Sequence, residues 1–338
     1  FVGQNINPAT NIKNSLIFHG LGSGKTCTSL VIGEAFKKKK EGGNVTKLLY
    51  VVPATLVDQY RDEILGELKM FDDKEPEIWS CTSQCLIDGK RDFYTNTDDR
   101  LFLQNEEQIY TNKLNKLTEL NILINQLSRE KKIVELKKKK DEFKNLQEEV
   151  KRAALTVNNR KQKILSKVTM VFEIISHNIF INDLFKKIEN GTWKKMSLLT
   201  DKNSPLLSSN GILVIDEIQR LVSASGILYK KLFNAIYQYI HPNCRIILLS
   251  ATPIYDNPYE LALTVNLLRP RVLFPLNKDK FYSFFLGRDD EDDDGNYVCK
   301  RVKTKNFITN NSCVINKNLL KILLSGYISY FKGGNPIA

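Results

Sequence analysis

Residues 15–26 read Ser15-Leu16-Ile17-Phe18-His19-Gly20-Leu21-Gly22-Ser23-Gly24-Lys25-Thr26, and Cys27 to Phe36 follow without a proline. A short apolar run, a glycine-rich bend and a helical stretch form the strand–turn–helix order that a phosphate-binding loop needs. Glycines 20, 22 and 24 let the backbone fold so that N–H groups converge, and the helix N-terminus adds the positive end of its dipole. Lys25 would reach the β- and γ-phosphates of a bound nucleotide, and the Thr26 hydroxyl would ligate Mg²⁺. Leu21, Ser23 and Cys27 belong to the same cradle. The strict pattern has glycine where His19 stands, so the loop is a variant.

Downstream, Asn210-Gly211-Ile212-Leu213-Val214-Ile215 is a continuous apolar run of the kind buried in parallel sheets. It delivers Asp216-Glu217-Ile218-Gln219 at its C-terminal end, where open α/β sheets bind ligands. Adjacent carboxylates there suit a division of labour: Asp216 holds Mg²⁺ through water, and Glu217 orients and deprotonates an attacking water. The plainer alternative is an acidic helix start favoured by the dipole; the upstream loop tips the reading toward chemistry. A third run, Cys244-Arg245-Ile246-Ile247-Leu248-Leu249, ends in Ser250-Ala251-Thr252-Pro253. Alone, that is a strand-to-turn connection. Following the loop and the acids, its hydroxyls could sense the γ-phosphate and pass on its loss.

Together these residues resemble the first motor domain of superfamily 2 helicases and translocases. His19–Thr26 looks like motif I, and Leu48-Leu49-Tyr50-Val51-Val52-Pro53-Ala54-Thr55-Leu56-Val57-Asp58-Gln59-Tyr60 looks like motif Ia, whose strand-end loop, with Pro53 and Thr55, would then grip nucleic-acid phosphates. Asp216–Gln219 is similar to motif II, with Gln219 where the best-known subgroups carry His or Asp, and Ser250-Ala251-Thr252 matches motif III. Leu248–Leu261, Asn266–Pro270 and Gly326–Lys332 narrow the likeness to helicase-like ATPases of nucleocytoplasmic large DNA viruses, of the poxvirus and African swine fever virus type. There such proteins are early transcription factor subunits or transcription-termination nucleoside triphosphatases.

The resemblance implies an α/β fold: a RecA-like P-loop NTPase with a mostly parallel sheet and helices on both faces. It further implies ATP and Mg²⁺ as cofactors, and nucleic acid as partner, DNA before RNA. Viral RNA polymerase or transcription factor subunits would be protein partners, and the host cytoplasm and virion the setting. Gln4 stands near where such families place an adenine-reading glutamine. One departure is that residues 1–338 contain no Gln-x-x-Gly-Arg-x-x-Arg segment, the arginine motif of the second motor domain; Gly287-Arg288 is the nearest Gly-Arg pair. Two readings compete with a helicase: a non-catalytic, motor-derived scaffold for nucleic acid or polymerase, and a restriction or remodelling translocase on the same core.

Composition bounds the rest. With 338 residues, 42% of them apolar, 17 glycines and 10 prolines, the chain is neither disordered nor fibrous. No apolar run approaches the roughly 18 residues of a membrane span, and a signal peptide is not expected. Cysteines 27, 81, 85, 244, 299 and 313 are too scattered for a disulfide scaffold and lack zinc-site spacing, which suggests a reducing, intracellular setting. The start at Phe1, and an end just past Tyr330-Phe331-Lys332-Gly333-Gly334, suggest a fragment.

The positive charge is concentrated. Residues 111–170 hold 16 Lys+Arg and 7 Asp+Glu, a net of +9 out of +12 for the chain. No glycine occurs between Gly89 and Gly191 and no proline between Pro76 and Pro205, so long helices are expected. Apolar residues keep helical spacing through Leu117, Leu120, Ile124, Leu127 and Val134. They resume in another register through Leu136, Phe143, Leu146, Val150, Ala153 and Val157, which fits an antiparallel helical hairpin or one helix with a register break. Such an arm either touches nucleic-acid backbone or is a solvated insertion. The acid run Asp289–Asp294 reads as a flexible surface loop. The expected layout is a RecA-like body of residues 1–100 and 171–280, a basic helical insertion at 101–170, and an acidic loop and connector at 281–338 leading to a second such domain.

Overall fold

A computed structural model describes residues 6, 10–20, 22–36, 48–71, 74–79, 81, 97–130, 132–169, 171–189, 211–222, 227–254, 256–268, 270–291, 297–301 and 312–331. In chain order the elements are β1 (Asn14–His19), α1 (Lys25–Phe36), β2 (Leu48–Val52), α2 (Val57–Leu65), β3 (Glu67–Phe71) and β4 (Lys74–Trp79). There follow α3 (Thr97–Arg129), α4 (Ile133–Thr169), β5 (Phe172–Ser176), α5 (His177–Glu189), β6 (Ile212–Ile215), α6 (Ile227–Gln238) and β7 (Arg245–Ser250). The last are α7 (Tyr259–Asn266), α8 (Lys278–Phe285), β8 (Leu286–Glu291), β9 (Tyr297–Arg301), β10 (Ser312–Val314), α9 (Lys317–Leu324) and β11 (Ile328–Phe331). The chain divides into two compact units, one of residues 1–60 with 171–338 and one of residues 61–170.

The first unit is built on a six-stranded sheet in the order β11-β1-β7-β6-β2-β5, with every pair parallel. Leu48–Val52, Ile212–Ile215 and Ile246–Ser250 are buried throughout, as strands covered on both faces must be. On one face Leu16, Leu49, Val51, Leu213, Ile215, Ile246 and Leu248 share a core with α5, α6, α7 and α8. On the other, Gly33 of α1 lies against Tyr50, Phe172 and Leu48, and the Tyr50 hydroxyl donates to the Ser29 carbonyl at 2.7 Å. The fold is thus the expected α/β, RecA-like architecture. The segment that ends the chain supplies β11, which pairs Leu16 with Ile328 and His19 with Phe331 at the sheet edge.

Two readings change. Asp289, Asp290 and Glu291 lie in strand β8, not in a loop, because their backbone pairs antiparallel with Cys299, Val298 and Tyr297 of β9. Ladder pairing there outweighs like-charge repulsion along the strand, and the same ribbon carries Arg288, Lys300 and Arg301; Asp292–Asp294 lie outside the described residues. A disulfide joins Cys299 of β9 to Cys313 of β10, with Cα atoms 5.8 Å apart, a pairing that their spacing in sequence did not reveal. Cys244 is a buried free thiol.

In the second unit the hairpin alternative holds: α3 and α4 are separate helices. Lys113 pairs with Glu149 at 3.0 Å, Lys161 with Glu107 at 2.6 Å, and Asp99 takes both Arg160 at 2.6 Å and Lys167 at 3.2 Å. Partners that rise in α3 as they fall in α4 define an antiparallel register. Leu103, Leu120 and Leu127 are buried in α3, as are Leu146, Val150, Ala153, Val157, Ile164 and Val168 in α4. Burial of these residues holds the pair together more than its exposed ion pairs do.

Candidate active site

Strand β1 ends at His19 and α1 begins at Lys25, so residues 20–24 must turn the chain within five positions. Gly22 and Gly24 do so at φ +70° and +73°, and a Cβ at either would meet nothing within 4 Å. Backbone conformation, not space, is what requires glycine there. The Ser23 hydroxyl donates to the Gly20 carbonyl at 2.5 Å, and the Thr28 amide to the Gly24 carbonyl at 2.8 Å. Lys25 Nζ donates to the carbonyls of His19 and Gly20 at 3.2 and 3.1 Å, so the ammonium is held against the loop backbone. His19 departs from the glycine pattern without strain, since it is the last residue of a strand and its Nε2 meets Ser329 Oγ of β11 at 3.2 Å.

The strand order explains how distant residues meet. Strand β7 lies between β1 and β6, with Phe18 opposite Ser250 and Ile215 opposite Leu248. His19, Ser250 and Asp216 therefore reach the same C-terminal edge of the sheet. Asp216 is 3% exposed; its Oδ2 accepts from the Tyr60 hydroxyl at 2.9 Å and its Oδ1 from the Glu217 amide at 2.9 Å. Burial raises its pKa above the ordinary aspartate value, and the Glu217 charge adds to this. The Tyr60 hydroxyl, the Glu217 amide and the Lys25 ammonium pull it back down, so the field of Lys25 reaches this carboxyl. His177, at the start of α5, sets its Nε2 2.8 Å from the Asp216 carbonyl. A carbonyl only accepts, so Nε2 carries the proton. Burial holds this ring below the ordinary imidazole pKa.

Glu217 adopts left-handed backbone, φ 50° and ψ 48°. Its carboxylate accepts from the Gln219 side-chain amide, whose Oε1 accepts from the Ser250 hydroxyl at 2.7 Å. Ser250 Oγ in turn accepts from the Thr252 amide at 3.0 Å. An unbroken hydrogen-bond chain thus runs from the second acid to the Ser-Ala-Thr turn.

Lys25, Asp216, Glu217, Gln219, Ser250 and Thr252 are therefore drawn to one sheet edge, with Thr26 and Cys27 in the first turn of α1. Pro53 is buried and Thr55 exposed at the end of β2, and Ala251 is half-buried without a polar role. Gln4 and Leu21 lie outside the described residues. Sequence reading gave no role to Tyr60, the last residue of the motif Ia match, or to His177, which hold Asp216 from two other elements; a tyrosine in an amphipathic helix and a histidine at a helix start carry no signal of their own. A cavity of about 520 Å³ in the hairpin unit, lined by Asp62, Arg100, Glu107 and Lys161 among others, contains none of these residues. Among the described residues no cluster of three or more His, Cys, Asp or Glu could hold a metal, and no helix is long and apolar enough to cross a membrane.

The donor set nevertheless fits a magnesium nucleotide. A hydroxyl at Thr26 and one carboxylate at Asp216 are the oxygen ligands such an ion takes when phosphates and water supply the rest. Asp216 carries a charge that burial disfavours, which a divalent cation would offset.

No protein-family profile matches the chain. Three proteins of Acanthamoeba polyphaga mimivirus, each provisionally named an ATP-dependent RNA helicase, align with almost all of it. One is 28% identical over 336 residues, 99% of this chain and 40% of that protein. A second is 24% identical over 337 residues, 98% of this chain and 22% of its own length, and a third 22% identical over 346 residues, 99% and 28%. The chain thus spans 40% or less of the length of these relatives. The sheet edge that gathers its motif residues lies within a stretch shared with proteins named as helicases in a nucleocytoplasmic large DNA virus.

Proposed function

We propose that this chain is the nucleotide-binding motor domain of an ATP-dependent nucleic-acid helicase or translocase. The observation that carries the reading is the meeting of Lys25 with Asp216 and Glu217 at one edge of a parallel sheet, joined through Gln219 to Ser250 and Thr252. The named helicases that align with nearly the whole chain support it. A scaffold that had lost catalysis would have no need to keep Lys25, Thr26, Asp216 and Glu217 together.

In this reading residues 20–27 wrap the phosphates and Lys25 leaves its two carbonyls to meet the terminal phosphoryl group. Thr26 and Asp216 would hold Mg²⁺, which when bound neutralises phosphate charge. Tyr60 and His177 fix the carboxyl and carbonyl of Asp216. Glu217 takes the proton of the attacking water, and Gln219 keeps its carboxylate aimed. Because Gln219 also accepts from Ser250, a change at Glu217 on phosphate release is felt at the Ser-Ala-Thr turn. Pro53 and Thr55, at the same edge, would contact the nucleic-acid strand. The finer reading is a motor serving viral transcription on DNA; the relatives' names say RNA, and strand displacement on matched DNA and RNA substrates decides between them.

The test is nucleotide binding by residues 1–338, followed with a fluorescent ATP analogue and Mg²⁺. Wild type is expected to bind, Lys25→Ala to lose at least tenfold in affinity, and Glu217→Gln to bind like wild type. Turnover by wild type should be slow, since an arginine supplied by a second domain is worth a factor of about 10³–10⁵ in comparable phosphoryl transfer. Equal binding by wild type and Lys25→Ala would overturn the assignment of the loop. Rapid turnover stimulated by nucleic acid would overturn the need for a second domain.

A further inference from the structure

Helix α4 has two faces with different jobs. Leu146, Val150, Ala153, Val157, Ile164 and Val168 are its buried residues. At about 100° per residue these fall on one side, and Lys137, Lys140, Lys144 and Lys151 fall within about 60° of one another on the opposite side. All four are exposed, and among the described residues none is in a salt bridge, whereas Arg160, Lys161 and Lys167, nearer the base, are paired to acids of α3. At about 1.5 Å per residue the four span roughly 21 Å along the helix. Two exposed acids border this stripe, Asp141 and Glu148; Glu148 faces Arg152 at 3.8 Å, and the four lysines outnumber the pair.

We propose that this outer lysine stripe of α4 is a second nucleic-acid contact, one that tracks the phosphate backbone independently of the nucleotide site. The inference rests on the motor reading only for the choice of polymer. A row of point charges about 5–10 Å apart along the helix, without an apolar anchor, matches a polyanion whose phosphates recur at comparable intervals. A protein partner would call for buried aromatic or aliphatic anchors, and lysine is depleted in such interface cores. A membrane surface would call for an apolar face beside the basic one. Here the apolar face is spent against α3, and beside the outer stripe lie only Ile133 and Val134 at its start, 77% and 85% exposed, and Leu155 beyond its other end, 59% exposed, too far apart to form a continuous apolar face.

The experiment uses residues 1–338 without nucleotide, titrating labelled DNA and RNA duplexes by fluorescence anisotropy across a range of salt. One variant carries Lys137→Gln, Lys140→Gln, Lys144→Gln and Lys151→Gln. A control loses the same charge elsewhere, at Lys116, Lys163, Lys230 and Lys321, all exposed. Glutamine keeps helix propensity, and circular dichroism checks the hairpin; if the fourfold variant melts, the pairs 137/140 and 144/151 carry the same test at half amplitude. The stripe variant is expected to bind at least tenfold more weakly at low salt, with the log–log salt slope shallower by about 3, and the control to stay within about threefold of wild type. Equal losses in both variants would reduce the effect to net charge and overturn the proposal, as would unchanged duplex binding by the stripe variant. So would loss of binding to phosphatidylserine vesicles while duplex binding stays intact. Repeating the titration in Lys25→Ala separates the two readings. A stripe effect that persists while wild type fails to bind ATP faults the motor alone, and normal ATP binding with no stripe effect faults the stripe alone.

Discussion

Glu217 stands at φ 50°, one of two non-glycine residues with positive φ among those described. A β-carbon in that region costs about 1–2 kcal/mol, and strain of this kind gathers where function constrains the backbone. Glu217→Gly is therefore expected to be more stable than Glu217→Ala by about 1 kcal/mol, the reverse of the usual order of the two residues. Both should abolish turnover, and thermal melts with an ATPase assay check the pair. Asp216 makes a second prediction. Its buried carboxyl has a raised pKa, so it binds a proton more readily folded than unfolded. Stability then falls as pH rises from the ordinary aspartate value through the raised one. Asp216→Asn should remove that pH dependence and raise the melting temperature of the nucleotide-free protein by a few degrees at neutral pH. It should also abolish the stabilisation that Mg²⁺ and ATP give wild type; a lower melting temperature without ligand would contradict the argument. At this scale Lys25, Asp216 and Glu217 were legible because their neighbours in sequence mark them. Tyr60 and His177 were not, since what they do depends on a carboxylate from another strand.

Elements were legible where their own residue pattern decides them. The buried runs of β2, β6 and β7 and the two registers of α3 and α4 follow from local patterning. The β3–β4 ribbon and strand β8 do not, because what forms them is a partner backbone, and Pro76 or an acid run argues against a strand when read alone. Helix α1 adds a contact that only packing reveals. A Cβ on Gly33 would run into the Tyr50 hydroxyl and lie 3.1 Å from Phe172 and 3.3 Å from Leu48. That hydroxyl is fixed by its bond to the Ser29 carbonyl, so it has little room to yield. Gly33→Ala should cost about 1–3 kcal/mol despite its better helix propensity, read by chemical denaturation. In the hairpin, Asp99 holds both Arg160 and Lys167, and Arg160 also lies 4.6 Å over the Phe102 ring. Asp99→Ala is expected to loosen the base of the hairpin by about 1–3 kcal/mol, because Arg160 is left partly buried without that acid; faster hydrogen exchange near Asp99 and Arg160 would report it.

For the molecule as a whole, the order of loop, acids and Ser-Ala-Thr turn anticipated a parallel sheet, but not that its outermost strand beside β1 would come from the far end of the chain. The Leu16 amide donates to the Tyr327 carbonyl at 2.7 Å, the Ser15 hydroxyl donates to the same carbonyl at 3.2 Å, and β11 pairs with β1 from Leu16 to His19. His19 is thereby tied to Ser329 one residue before the glycine bend, so the strand that carries this bend is buttressed from the C-terminal side. Ending the chain at Ser325 would turn β1 into an open edge with unpaired backbone groups. Several ladder hydrogen bonds at about 1 kcal/mol each would go with it, and the melting temperature should drop by several degrees. Nucleotide affinity should fall as well, because the glycine bend that would wrap the phosphates starts from that strand's end, where His19 and Gly20 also hold Lys25 before nucleotide binds. A Ser329→Ala chain separates the two effects: it keeps the ladder and should melt near wild type while losing only the His19 contact. If the truncated chain melted with wild type and bound ATP equally well, β1 would be held by β7 and α1 alone, and the far end of the sequence would have no part in shaping the loop.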